Sequence, residues 1–62
     1  MIKIIQNPNF QNWFTIRNQK TNEETEVANR PKALRVAMKL AKEVGDKQIV
    51  IEEVKGMQIL PV

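Results

Sequence analysis

One segment of this chain, between Asn29 and Gly45, has the period of an amphipathic helix, and it constrains the fold more than any other feature. Asn29 is suited to cap a helix N-terminus, Pro31 has a preset φ for the first turn, and Gly45 marks the end. At about 100° per residue, the apolar side chains from Ala33 to Val44 fill an arc of about 200°. A stripe of roughly 100° is enough to cover one sheet, so the surplus predicts burial against a second subunit.

The residues on both sides of this helix have the patterns of strands. Branched and alternating apolar side chains define the strands, and Asn7-Pro8-Asn9, the loop at 20–23 and a tight turn at Lys55-Gly56 separate them. The segments with strand character are residues 2–6, 12–18, 24–28, 48–54 and 57–60, the last stopped by Pro61. The sequence predicts a single α+β domain over 1–62, in the order β-β-β-α-β-β, with one helix packed on one face of a mainly antiparallel sheet.

The strand at 12–18 has two different faces. Phe14 and Ile16 point one way, whereas Trp13, Thr15 and Arg17 point the other. A tryptophan exposed beside an arginine can stack a nucleic-acid base or insert into a pocket of a protein partner, which makes these three residues a candidate interaction surface. The alternative is that Trp13 closes the core or lies in a dimer interface. Phe10, in the first loop, is open to the same two interpretations.

The positive charge of the chain is concentrated on the helix. The formal net charge is +3, and five basic residues with no acid among them lie between positions 30 and 42. They are Arg30, Lys32, Arg35, Lys39 and Lys42, of which the last four share an arc of about 80°. This edge is a candidate nucleic-acid-binding surface, because its cations can follow a row of phosphates. The alternative is that these cations only form a solvated helix face. No membrane contact is expected, because the apolar arc of the helix is needed for the core.

The residue types that are missing exclude many chemistries. The chain has no Ser, Cys, His or Tyr, so no familiar nucleophile and base pair can be built. Imidazole and thiolate metal ligation is impossible, and the two isolated glycines do not form a phosphate-binding loop. The acids of 23–26 and of 52–53 are interpreted as solvated strand charges. We expect no enzyme activity, no catalytic residue, no cofactor and no metal site.

The size of the chain favours self-association, and the lack of a signal-peptide or membrane-span pattern favours a cytoplasmic location. A domain of 62 residues buries only about 60% of its unfolded surface, and this one has neither disulfides nor metal ligands to support its thin core. A homodimer is therefore expected. The residues before Asn7 are too few for a signal peptide and no apolar run approaches the ~18 residues of a membrane span.

Two resemblances follow from these motifs. Trp13-Phe14-Thr15-Ile16, the segment from Ala33 to Ala41, and Ile49-Val50-Ile51 before Lys55-Gly56-Met57-Gln58-Ile59 resemble a group of small prokaryotic and phage domains of unknown function. Residues 12–42 are also similar to the three-stranded sheet and helix of integrase arm-type DNA-binding domains. That second resemblance implies a sheet lying in the major groove, contacted through Trp13, Thr15 and Arg17 or through Lys20.

The acidic strand argues against that sheet contact. Glu23, Glu24 and Glu26 would face the phosphates, which favours the basic helix edge instead. The leading hypothesis is a non-enzymatic binding protein, dimeric, that contacts nucleic acid through this edge. The rival hypotheses are a protein-interaction module or inhibitor, of phage or bacterial type, that docks on a larger host protein through Trp13 and apolar surface, and a purely structural homodimer.

Overall fold

The computed structural model describes residues 1–62 as five strands and one helix. The helix α1 spans Arg30–Val44, which agrees with the bounds predicted from its capping residues. The strands are β1 Ile2–Gln6, β2 Trp13–Asn18, β3 Glu23–Ala28, β4 Gln48–Glu53 and β5 Gly56–Pro61. The predicted α+β class and the order β-β-β-α-β-β are confirmed.

All five strands form one sheet in the order β3-β2-β1-β4-β5. Strand β1 lies at the centre, where it pairs antiparallel with β2 and parallel with β4. The pairs β2–β3 and β4–β5 are antiparallel hairpins. The sheet is mixed but mostly antiparallel, and the single parallel pair arises because β2, β3 and α1 intervene between β1 and β4, so that both strands run in the same direction.

The helix packs on one face of strands β1 to β4 and leaves β5 beyond its reach. The core between helix and sheet consists of ten buried residues: Ile2, Ile4, Phe14, Ile16, Val27, Ala33, Ala37, Ala41, Ile49 and Ile51. Alternation along each strand places these apolar side chains toward the helix and their neighbours on the opposite, open face of the sheet.

The helix side of this core is a line of three alanines. Ala33, Ala37 and Ala41 are four residues apart and fully buried, so the smallest side chains of the helix lie against the sheet. The partly buried residues Leu34, Val36, Met38 and Leu40 flank the line and pack against the same core. The wide apolar arc, from which a second subunit was expected, is therefore largely used within one chain.

Local hydrogen bonds fix both ends of α1. Asn29 has a φ of 59°, and its side-chain oxygen accepts the N–H of Lys32 at 2.9 Å. At the other end Gly45 has a φ of 80°, its N–H donates to the carbonyl of Lys42, and the N–H of Asp46 donates to that of Ala41. This pair of bonds is a Schellman motif, which needs a left-handed residue after the helix. At 15 residues with an amphipathic pattern, α1 does not meet the length and hydropathy of a membrane span.

The last hairpin turns one residue earlier than predicted. Glu53 pairs with Gly56, so the two turn residues are Val54 and Lys55 rather than Lys55 and Gly56. The positive φ of 143° falls on Gly56, the first residue of β5, and Val54 and Lys55 keep negative φ. Strand β5 also continues through Pro61, because the bond that a proline cannot donate would point away from β4.

Candidate functional site

Four cations form a ridge along the solvent side of α1. Lys32, Arg35, Lys39 and Lys42, called here the basic ridge, are all exposed. They lie three or four residues apart on the side of the helix opposite the buried alanine line, as their spacing predicted. The ridge runs about 15 Å along the helix axis, with about 4.5 to 6 Å of rise between neighbours.

No carboxylate neutralises the basic ridge. The ion pairs of the protein engage Lys3, Arg17, Arg30 and the N-terminal amine, and none involves a ridge residue. Glu43, one helical turn after Lys39 and next to Lys42, forms no ion pair with a ridge residue. The ridge therefore presents four uncompensated positive charges to solvent.

Arg30 does not belong to this ridge. Its Nε and Nη2 atoms donate to the two carboxylate oxygens of Glu53 at 3.2 and 3.3 Å, at the end of β4. Two parallel bonds of this kind hold a guanidinium in a fixed orientation. Arg30 thus joins the first turn of the helix to the sheet, and its charge is compensated. The sequence could not show this pair, because the two residues meet only through the tertiary fold.

The predicted interaction surface of β2 is on the open face of the sheet, but its members are not equally available. Arg17 is bound to Glu24 on the next strand, with 2.6 Å between its nitrogens and the carboxylate oxygen. Thr15 is partly buried, with Ile5 on one neighbouring strand and Glu26 on the other. Only Trp13, which is 47% exposed, presents a large free side chain.

Trp13 lies beside a second exposed aromatic residue, Phe10. Together with Asn7 and Glu26 they line an open surface cavity of about 270 Å³. The loop is shaped by the side-chain oxygen of Asn7, which accepts the N–H groups of Asn9 and Phe10 at 2.8 and 3.0 Å. The backbone N–H of Trp13 also donates to the backbone carbonyl of Phe10 at 2.9 Å.

The association of Phe10 with Trp13 was not predicted. The signal available in the sequence was the Asn7-Pro8-Asn9 turn, which brings the chain back toward β2. Phe10 is 67% exposed, and Glu26 forms no ion pair, so this aromatic cleft combines apolar surface with one free carboxylate. It lies on the open sheet face, on the other side of the molecule from the basic ridge.

The two faces of the molecule differ in charge. Basic residues of the open sheet face are engaged by acids, as in the pair of Lys3 with Glu52 at 3.3 Å and that of Arg17 with Glu24. The helix face carries the basic ridge with no such partners. No group of three His, Cys, Asp or Glu residues is placed to hold a metal ion. The helix face therefore carries a row of unpaired cations, which the open sheet face does not.

Comparisons with known proteins give no relative for this chain: no family model, no curated protein and no solved structure matches it.

Proposed function

We propose that the protein binds nucleic acid through the basic ridge of α1. The observation that carries the proposal is the absence of any ion pair at Lys32, Arg35, Lys39 and Lys42, although the chain has carboxylates that neutralise cations elsewhere. Each of these long side chains keeps its charge in water on one line. Such a line matches the regular row of phosphates on a nucleic-acid backbone, and contacts of this kind position a protein without reading sequence.

The number of ridge cations sets the expected salt dependence. If all four ridge residues neutralise phosphates of duplex DNA, log K falls with log salt by a slope of about −3.6, which is four times −0.9. Raising the salt concentration fourfold, from ~50 to ~200 mM, then weakens binding about 150-fold. Arg30 adds nothing to this slope, because Glu53 already compensates its charge.

The test measures fluorescence anisotropy of a labelled duplex at several salt concentrations. The ridge variant Lys39→Gln with Lys42→Gln is compared with Lys20→Gln and Lys47→Gln, which removes the same charge from two exposed lysines that are off the ridge and outside any ion pair. We expect the slope to fall to about −1.8 in the ridge variant and to stay near −3.6 in the control. Equal slopes in the two variants, or no binding by the parent protein at ~50 mM salt, would contradict the proposal.

A protein partner is a second candidate, favoured by the aromatic cleft. Trp13 and Phe10 are both exposed and line one cavity, and exposed tryptophans are frequent anchors of protein interfaces. For a partner purified from the native host, we expect Trp13→Ala to weaken binding by at least about 30-fold, corresponding to ~2 kcal/mol. The ridge variant should bind that partner like the parent. If Trp13→Ala leaves the affinity unchanged, this candidate is wrong.

A further inference from the structure

The two edges of the sheet differ in how they resist pairing with another strand. At one edge, β3 carries Glu23, Glu24 and Glu26, all exposed. At the other edge, β5 has no charged residue between Gly56 and Pro61. Natural proteins protect edge strands with charges, so β3 is protected and β5 is not.

The outward N–H groups of β5 are those of Met57 and Ile59. The N–H of Val62 donates to the carbonyl of Lys47 at 3.0 Å, which makes this a hydrogen-bonded pair of the β4–β5 ladder. Hydrogen-bonded and non-hydrogen-bonded pairs alternate in an antiparallel ladder, so Leu60 and Gln58 also bond to β4. The N–H and C=O groups of Met57 and Ile59 therefore point away from the sheet.

The same two residues also expose their side chains. Met57 is 67% and Ile59 is 61% exposed, on the open face of the sheet. Leu60, on the other face, packs against the core, but α1 does not cover β5. Apolar side chains and unpaired backbone groups thus coincide on one uncharged strand.

We propose that β5 pairs antiparallel with β5 of a second copy of this chain, about a two-fold axis at Gln58. In this register Met57 of each copy lies opposite Ile59 of the other, so every outward N–H group of the two residues meets a C=O group. The facing side chains are apolar, and the strand has no charge to repel its own copy. Pro61, which has no N–H to donate, limits the paired segment at its C-terminal end.

The partner is a second copy because this register is self-complementary. A two-fold axis requires residue i to face residue j and residue j to face residue i, and the Met57–Ile59 exchange satisfies that condition. Pairing of β5 with the β3 edge of another copy would instead add copies in an open series, and the three glutamates lie along that edge. The symmetric contact closes after two copies and uses only the unprotected edge.

The dimer has a continuous sheet of ten strands, five from each copy, with both helices on the same side. Each helix lies over the centre of β3-β2-β1-β4, about three strand spacings from the two-fold axis. At ~4.8 Å per spacing, the two basic ridges lie about 30 Å apart on the same side of the sheet. The proposal does not depend on nucleic-acid binding, and its tests use no nucleic acid.

Sedimentation equilibrium tests the assembly directly. We expect the mass to rise from that of one chain to that of two between ~1 µM and ~1 mM, the range of dissociation constants typical of small contacts. Ile59→Lys places a charge in the interface and is expected to weaken the dimer at least tenfold, and Met57→Lys serves as a second variant in case the first fails to fold. Val54→Lys, in the exposed turn before β5, is the matched control and should dimerise like the parent.

Amide hydrogen exchange at ~1 mM identifies the surface. At this concentration the Met57 amide should exchange about two- to threefold more slowly in the parent than in Ile59→Lys, and the Ile59 amide about two- to threefold more slowly than in Met57→Lys, because a tenfold weaker dimer leaves these outward amides without an acceptor for more of the time. The amides of Gln58 and Leu60, which bond to β4, should stay protected in every folded variant. A protein that remains one chain at ~1 mM, or that dimerises while Met57 and Ile59 exchange freely, overturns the proposal.

Discussion

Ala37 lies at the middle of the alanine line and is fully buried, so replacing it tests how closely the helix packs on the sheet. Ala37→Leu forces three additional carbon atoms between α1 and the strands, which we expect to cost about 1–3 kcal/mol. Ala37→Gly removes one buried methyl group, worth about 0.8 kcal/mol, and lowers helix propensity by about 1 kcal/mol. Both the larger and the smaller residue should therefore destabilise the fold.

These costs are large for a chain of this size. At about 0.05–0.15 kcal/mol per residue, 62 residues have a free energy of unfolding of roughly 3–9 kcal/mol. With a urea m-value near 1 kcal/mol/M, each substitution should lower the midpoint of urea unfolding by about 1–3 M without changing m. The reference is Val44→Leu, which enlarges a half-exposed apolar side chain of the same helix and should stay within about 0.5 kcal/mol.

The measurement is urea unfolding followed by far-ultraviolet circular dichroism and by the fluorescence of Trp13, the only tryptophan. Coincident transitions would validate two-state treatment. If Ala37→Leu unfolds at or above the urea midpoint of the parent, the space between helix and sheet accommodates a larger residue. The conclusion that small side chains set the helix-to-sheet distance would then be refuted.

Three further predictions concern the ends of the helix. Asn29→Ala loses the bond to the Lys32 amide and places alanine at positive φ, so it should cost at least about 1 kcal/mol in thermal unfolding, whereas Asn29→Gly loses the same bond without the strain and should cost only a few tenths; equal losses would refute the contribution of the positive φ. Gly45→Ala strains the left-handed residue and should cost about 1 kcal/mol; an unchanged melting temperature would contradict this. Arg30→Gln breaks the pair with Glu53 and should cost about 0.2–1 kcal/mol, less at ~1 M salt; a cost independent of salt would argue against an electrostatic role.

Local patterns allowed most of the fold to be predicted. The bounds of α1 depend on Asn29 and Gly45, which act through hydrogen bonds within a few residues. The two faces of β2 follow from strict alternation, because buried Phe14 and Ile16 alternate with Trp13. Helix caps and strand alternation can be predicted from the sequence, because the residues that interact are neighbours in the chain.

Features that depend on distant residues were not predictable. The parallel pairing of β1 with β4 and the strand order follow from how whole elements pack. The same holds for the Arg30–Glu53 pair, which separates Arg30 from the four other basic residues of the predicted site. The basic ridge itself was predictable because helical spacing alone places its members on one line, and its freedom from ion pairs became visible only in three dimensions.

The central position of β1 has a consequence for the order in which the chain folds. Ile4 contacts Ile51 across the parallel pair, although 47 residues separate them, whereas Ile51 and Gln58 of the final hairpin are only seven apart. Closing the longer loop costs roughly 1.5–2 kcal/mol more in chain entropy. During synthesis β1 is made before β2, β3 and α1, so its second neighbour, β4, exists only after all three. We therefore expect the parallel pair at the middle of the sheet to form later than the two hairpins at its sides.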